Sequence, residues 1–207
     1  MPKIVEIRRA LSDHEPEILT ATPRNHAAVA MILREADPGP EVLFIERARR
    51  RGDPWSGHMA FPGGRIEPVD RDAREAAERE TLEEVGLSLA GAESLGRLAD
   101  LRGRHAGRPD AAMVISGFVY HAAETEPLRL NGEVADAFWF PLAALAEAER
   151  HVEYKVVRGS RTRFPGICVG DDERHVVWGL TYRFLEVFLE IAGHPLPDRW
   201  AALGIER

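Results

Sequence analysis

Glu80, Glu83 and Glu84 lie within five residues of one another in a stretch whose remaining signals specify a helix. This concentration of carboxylates restricts what the chain can build. Asp72, with Glu75 three residues later, is suited to cap the start of that helix, and Gly86 to end it, so the spacing predicts a helix over Ala73 to Val85. At about 3.6 residues per turn the three glutamates share an arc of roughly 100°, with Leu82 and Val85 on the other side. Like charges this close repel unless a cation sits between them, and hard, oxygen-preferring ions such as Mg2+ or Mn2+ suit such a face. The Pro62-Gly63-Gly64 turn just upstream lets backbone approach a metal or substrate with no side chain in the way.

The rest of the chain supports a single folded unit. With 207 residues and 44% hydrophobic content it can bury one substantial core, which predicts one domain over residues 1–207 with its core at about 27–192. The net charge of −7 argues against a nucleic-acid partner, although local arginine clusters suit a small anion. Cys168 is the only cysteine, so an internal disulfide is excluded and a reducing cytoplasm is the expected compartment. No apolar run approaches the roughly 20 residues of a membrane-spanning helix, so no membrane partner is expected.

The hydropathy pattern reads as mixed α and β. Strands are predicted at His26 to Leu33, Val42 to Arg47, Leu95 to Leu101, Ala112 to His121, Val134 to Phe140 and His151 to Val157. Pro38-Gly39-Pro40 and Glu124 to Pro127 mark loops. A second helix is expected from Val177 to Ala192, where Leu180, Phe184, Val187, Phe188 and Ile191 recur at helical spacing as a core stripe. Trp178 and Tyr182, four residues apart, read as packing residues of that helix.

The pieces around the acidic helix make chemical sense together. A cation held by carboxylates neutralises the dense charge of a diphosphate, and a neighbouring carboxylate accepts the proton of an attacking water. Arg79, at i, i+4 to Glu83, is placed to orient it. Taken alone, a glutamate-rich helix is better explained by a solvated surface face. The ordered set Gly64-x5-Asp70-x8-Arg79-Glu80-Thr81-x-Glu83-Glu84-x-Gly86-Leu87, however, resembles the signature of the Nudix hydrolases. Asp70 stands where that pattern has glutamate, the following gap is one residue longer, and Thr81 replaces an aliphatic residue.

The resemblance implies an α/β fold, an α/β/α sandwich around a mixed sheet. It also implies Mg2+ or Mn2+ as cofactor. Glu80 and Glu84 are implied as principal metal ligands, Glu83 as a further ligand or base, the Gly64 carbonyl as an additional ligand, and Arg79 as part of the catalytic group. The implied partner is a small-molecule nucleotide diphosphate, with room for a homodimer.

Upstream, Leu43 to Ala48 followed by Gly57-His58-Met59-Ala60-Phe61-Pro62-Gly63-Gly64 resembles the coenzyme A pyrophosphatase branch of that family, as does the longer gap after Asp70. Phe164 to Ile167 and Val177 to Thr181 are similar to its carboxy-terminal segment. That branch has an arginine four residues before Gly57, where this chain has Asp53; Arg49, Arg50 and Arg51 are the nearby substitutes. Arg47, Arg49, Gly63 and Arg104 are the expected substrate contacts, the last within a glycine-rich basic loop from Arg102 to Arg108 that suits an anion equally as a solvated surface. Glu133 reads first as a surface residue, although it occupies a position where some Nudix proteins carry an additional carboxylate. Markers of the ADP-ribose, diadenosine polyphosphate and NADH branches are absent. The resemblance therefore implies cleavage of coenzyme A or a derivative to 3',5'-ADP and 4'-phosphopantetheine. The alternatives are another nucleotide substrate and a nucleotide sensor without catalysis.

Overall fold

A computed structural model describes residues 2–53, 55–105, 108–123, 125, 127–155, 162–170 and 174–204, with side chains left undescribed at 23, 104, 105 and 108–112. Its chain order is α1 (Ile4–Ser12), β1 (His26–Arg34), β2 (Glu41–Arg47), β3 (Met59–Ala60), β4 (Gly63–Arg65), α2 (Ala73–Val85), β5 (Glu93–Arg97), β6 (Leu101–His105), β7 (Arg108–His121), β8 (Val134–Pro141), β9 (His151–Tyr154), β10 (Phe164–Cys168), β11 (Val176–Trp178), α3 (Gly179–Ile191) and α4 (Arg199–Ala202).

Strands β1 to β8 form one mixed sheet. β1 and β7 run parallel from His26↔Val114 to Leu33↔His121, while the other pairings are antiparallel. β1 and β2 pair only at Leu33↔Val42 and Arg34↔Glu41 and then splay apart. Into the opening go β3, paired to β2, and β4, paired to β1. This split carries the Pro62-Gly63-Gly64 segment into the sheet.

Period-two alternation divides the sheet's side chains between two cores. Ala28, Ala30, Ile32, Leu43, Ile45, Phe118 and Tyr120 face α2. Met31, Leu33, Val42, Phe44, Ile115 and Val119 face the opposite side, where they join Ile7 of α1 and Phe184 and Phe188 of α3. The result is a helix, sheet, helix sandwich, as the family resemblance implies. A second sheet, ordered β11-β10-β9, lies on the α1 and α3 side and shares that core through Ile167 and Val177.

Several expectations need correction. The predicted strand at Leu95 to Leu101 is two strands, because the chain breaks at 98–100 where Leu98 and Asp100 turn inward and are buried. The helix expected from Val177 begins at Gly179, and Trp178 ends a strand, so Trp178 and Tyr182 do not stack along one helix. Tyr182 is fully buried against Trp200 instead. α1, β10 and β11 were not foreseen. The expected strand from His151 ends at Tyr154, and residues 156 and 157 lie outside the described residues, as do 124 and 126 of the predicted loop.

Candidate active site

Helix α2 begins as the sequence suggests, with the Asp72 carboxylate accepting from the Glu75 N–H at 2.9 Å. The reciprocal bond differs, because the Glu75 carboxylate accepts from the N–H of Arg71 at 2.6 Å rather than from that of Asp72. The helix ends at Gly86, whose φ of 70° is the left-handed conformation that a side chain disfavours.

The face that α2 buries is not the one expected. Ala73, Ala76, Ala77, Thr81, Glu84 and Val85 are buried, whereas Leu82 is 52% exposed. Small alanines let the helix approach β1 and β4 closely, and this puts Glu84 in the middle of the packed stripe. Thr81 fills the place of the aliphatic residue, and its hydroxyl is satisfied by the Ala77 carbonyl at 2.7 Å.

Glu84 is 2% exposed and accepts from the Gly63 N–H at 2.9 Å. Burial pushes its carboxyl up to about 7, repulsion from Glu80 and Glu133 adds to this, and the Gly63 N–H and Arg47 oppose it. Glu80 is likewise raised, first by burial and then by Glu83 and Glu133, against the pull of Arg79. Glu83 is the outlier, with 54% of its side chain exposed.

Gly63 and Gly64 fit this cradle through their lack of a side chain. They are not a free turn but the strand β4, with Gly64 opposite Ala28 and Gly63 opposite Val29. At Gly63 the φ is 151°, and a Cβ would run into the Ala28 carbonyl. At Gly64 a Cβ would collide with the Glu80 carboxylate. Backbone and carboxylates thus meet where any side chain would separate them.

Arg79 uses all five of its N–H donors. Nε and Nη2 bind Asp70 at 2.9 and 3.0 Å, Nη2 also reaches the Arg65 carbonyl at 3.1 Å, and Nη1 contacts Glu80 at 3.0 Å and Glu83 at 3.3 Å. The Asp70 side chain is 1% exposed, and this hydrogen bonding by Arg79 holds its carboxyl below the usual range. Arg79 therefore clamps the loop at 65–70 to the helix, a larger task than orienting Glu83.

Among the other expected contacts, Arg47 ends β2 on the α2 side of the sheet, close enough to influence Glu84. Its Nη2 pairs with Asp53 at 3.3 Å, and its Nε is buried without a hydrogen-bond partner. Asp53, the departure from the branch pattern, is thus the counter-ion of Arg47. Arg49 is exposed beside Gly57. Arg50 pairs with Glu133 at 2.8 Å, and the Glu133 charge helps to raise both Glu80 and Glu84. Arg104 lies in β6 with its side chain outside the described residues, as do 106 and 107 of the basic loop.

Among the described residues no three His, Cys, Asp or Glu side chains already converge as a closed metal cage. The donor set nevertheless suits a divalent cation. Glu80 and Glu84 both flank the Gly63-Gly64 backbone, and burial and neighbouring carboxylates raise the protonation of each, which a cation would relieve. Also unforeseen is a cluster in which buried Ser116 bridges His26 and Asp100 at 2.8 Å each. It holds the N-terminal arm in place, since the Asp100 carboxylate accepts from the Leu19 N–H at 2.9 Å.

Comparison with known proteins accounts for this arrangement. The NUDIX domain model matches residues 24–159. The chain is 32% identical over 169 residues to the human mitochondrial coenzyme A diphosphatase NUDT8, covering 80% of this chain and 68% of that protein. It is 31% identical over 176 residues to the Schizosaccharomyces pombe protein C14C4.10c, where the match covers 75% of this chain but only 54% of that protein, so the chain spans about half of that relative's length. A MutT/nudix family protein from Enterococcus faecalis shares the fold with a TM-score of 0.52 at 18% identity, covering 98% of this chain and 75% of that one. Nudix hydrolases generally use divalent metal ions and act on small nucleotide diphosphates. On the matched domain and these relatives together, the chain belongs to the Nudix hydrolase family.

Proposed function

We propose that this hydrolase cleaves the diphosphate of coenzyme A or a derivative, releasing 3',5'-ADP and 4'-phosphopantetheine. One observation carries the chemistry: buried Glu84 and partly buried Glu80 lie against the Gly63-Gly64 backbone, and both carboxyls are held above their ordinary range despite Arg79 and Arg47. In this reading Glu80 and Glu84 hold the metal, with the Gly64 carbonyl beside them. The bound ion would supply charge neutralisation to the diphosphate oxygens. Glu83, the most exposed of the three, accepts the proton of the attacking water. Arg79 holds the loop and helix in register, and Arg47 meets a phosphate after exchanging its bond to Asp53. Arg49 stands at the rim. The choice of coenzyme A is supported by the segment from Leu43 to Gly64 and by the human relative. The whole chain is read as one unit because both sheets contribute to one core cluster.

The test is a panel of coenzyme A, ADP-ribose, NADH, a diadenosine polyphosphate and a nucleotide sugar with Mg2+ or Mn2+, the products identified by mass. Coenzyme A is expected to give the highest kcat/KM. A higher value for ADP-ribose or a dinucleotide rejects the substrate but not the chemistry, and tight binding without product from any of them favours a sensor.

A further inference from the structure

The small sheet turns one face to the core and presents aromatic rings on the other. Pro165, Ile167 and Val177 are buried on its inner face. On the outer face Tyr154 lies opposite Phe164, and Trp178 opposite Gly166. Gly166 has no Cβ to fill the space beside Tyr154, so Tyr154 and Trp178 stack with centroids 4.9 Å apart and planes 25° apart. Phe164 lies 5.4 Å from Trp178, and His58 meets the same indole edge-on at 5.0 Å. All four rings are only partly buried, and Trp55, 6.0 Å from His58, is 38% exposed. An ordinary core would not leave so much aromatic surface half wet.

Position gives this face a purpose. The His58 carbonyl accepts from the Arg47 N–H at 3.0 Å, and the His58 ring feels the charges of Arg47 and Asp53. Arg47 in turn acts on Glu84. The aromatic face thus adjoins Arg47, since His58 pairs with the Arg47 backbone on one side and meets Trp178 on the other, and the Arg47 charge reaches Glu84. A ligand whose phosphates lie at Arg47 and Glu84 would bring its next planar group against His58 and the Tyr154-Trp178 pair. Aromatic faces suit a heteroaromatic base, which stacks regardless of its hydrogen-bonding edge.

We propose that the outer aromatic face formed by Tyr154, Trp178, Phe164 and His58 seats the base of the nucleotide whose diphosphate is cleaved at the carboxylate site. This rests on the reading of that site as one for nucleotide diphosphates, but not on coenzyme A being the substrate. Two uncleavable ligands isolate it: α,β-methylene-ADP, with a base, and methylenediphosphonate, without one, each titrated by calorimetry with Mg2+ present. Trp178→Leu is expected to weaken the nucleotide about 5- to 100-fold and leave methylenediphosphonate unchanged, with Trp178→Phe keeping most of the affinity. Tyr154→Leu should repeat the pattern, and provides the readout if Trp178→Leu does not fold. Equal losses for both ligands, no loss for either, or a loss confined to methylenediphosphonate overturns the assignment. If these titrations succeed while the substrate panel favours a different nucleotide diphosphate, only the coenzyme A reading fails.

Discussion

Glu84→Gln in the metal-free protein tests the electrostatics of the site directly. The Glu84 carboxyl moves from an ordinary 4.5 to about 7 on folding. At about 1.4 kcal/mol per unit, that shift represents roughly 3 kcal/mol of folding free energy. Because the folded value is raised, the native state holds more protons than the unfolded chain between these two values. Stability therefore falls as pH rises through that window, with no penalty below about 4.5 and the full penalty above about 7. Glutamine is neutral throughout and still offers an oxygen to the Gly63 N–H. In urea unfolding with a chelator, Glu84→Gln should gain about 2 to 3 kcal/mol on wild type between pH 5 and pH 8.5. Adding Mn2+ at a hundredfold excess over its Kd should stabilise only the wild type, by about 2.7 kcal/mol. A difference between variant and wild type that stays the same across this pH range would refute the reasoning, since burial of the charge would then have no cost.

Other perturbations follow from the same geometry. Metal affinity should fall as pH drops below about 7, because a protonated Glu84 does not ligate; calorimetric titration of Mn2+ at pH 6 and pH 8 measures it. Glu83→Gln or Glu84→Gln should lower turnover by orders of magnitude with the fold intact by circular dichroism, and near-normal rates in both would remove the catalytic assignment. Arg79→Ala should cost about 3 kcal/mol, read as a melting temperature lowered by roughly 6 to 12 °C, because it leaves the inaccessible Asp70 carboxylate unpaired. Gly64→Ala should abolish activity by displacing the Glu80 carboxylate, whereas Thr81→Val should change stability by less than about 1 kcal/mol and keep activity, both checked by melting and steady-state rates.

Local chemistry was legible in the sequence. Asp72, Gly86 and the interval between them set the helix α2, since caps and breakers act over a single turn. Strands written as short apolar runs, such as Val42 to Arg47, were also readable from their local pattern. Leu82 and Glu84 were not. Their burial depends on which side of the helix the sheet approaches, and the narrow alanine face, rather than the leucine, gave the closest fit. Two strands of the small sheet were missed because β10 and β11 are short and its outer aromatics break the usual pattern of polar residues facing water.

The sequence by itself determined the carboxylates, the glycines and the helix that displays them, because these follow from spacing along one chain segment. Only the tertiary structure decided that Glu84 is buried while Glu83 is exposed, that Arg79 is anchored by Asp70, and that Asp53 is the counter-ion of Arg47. Those facts arise where segments distant in sequence meet, and a charge acquires its character from the water and partners that such meetings remove or supply.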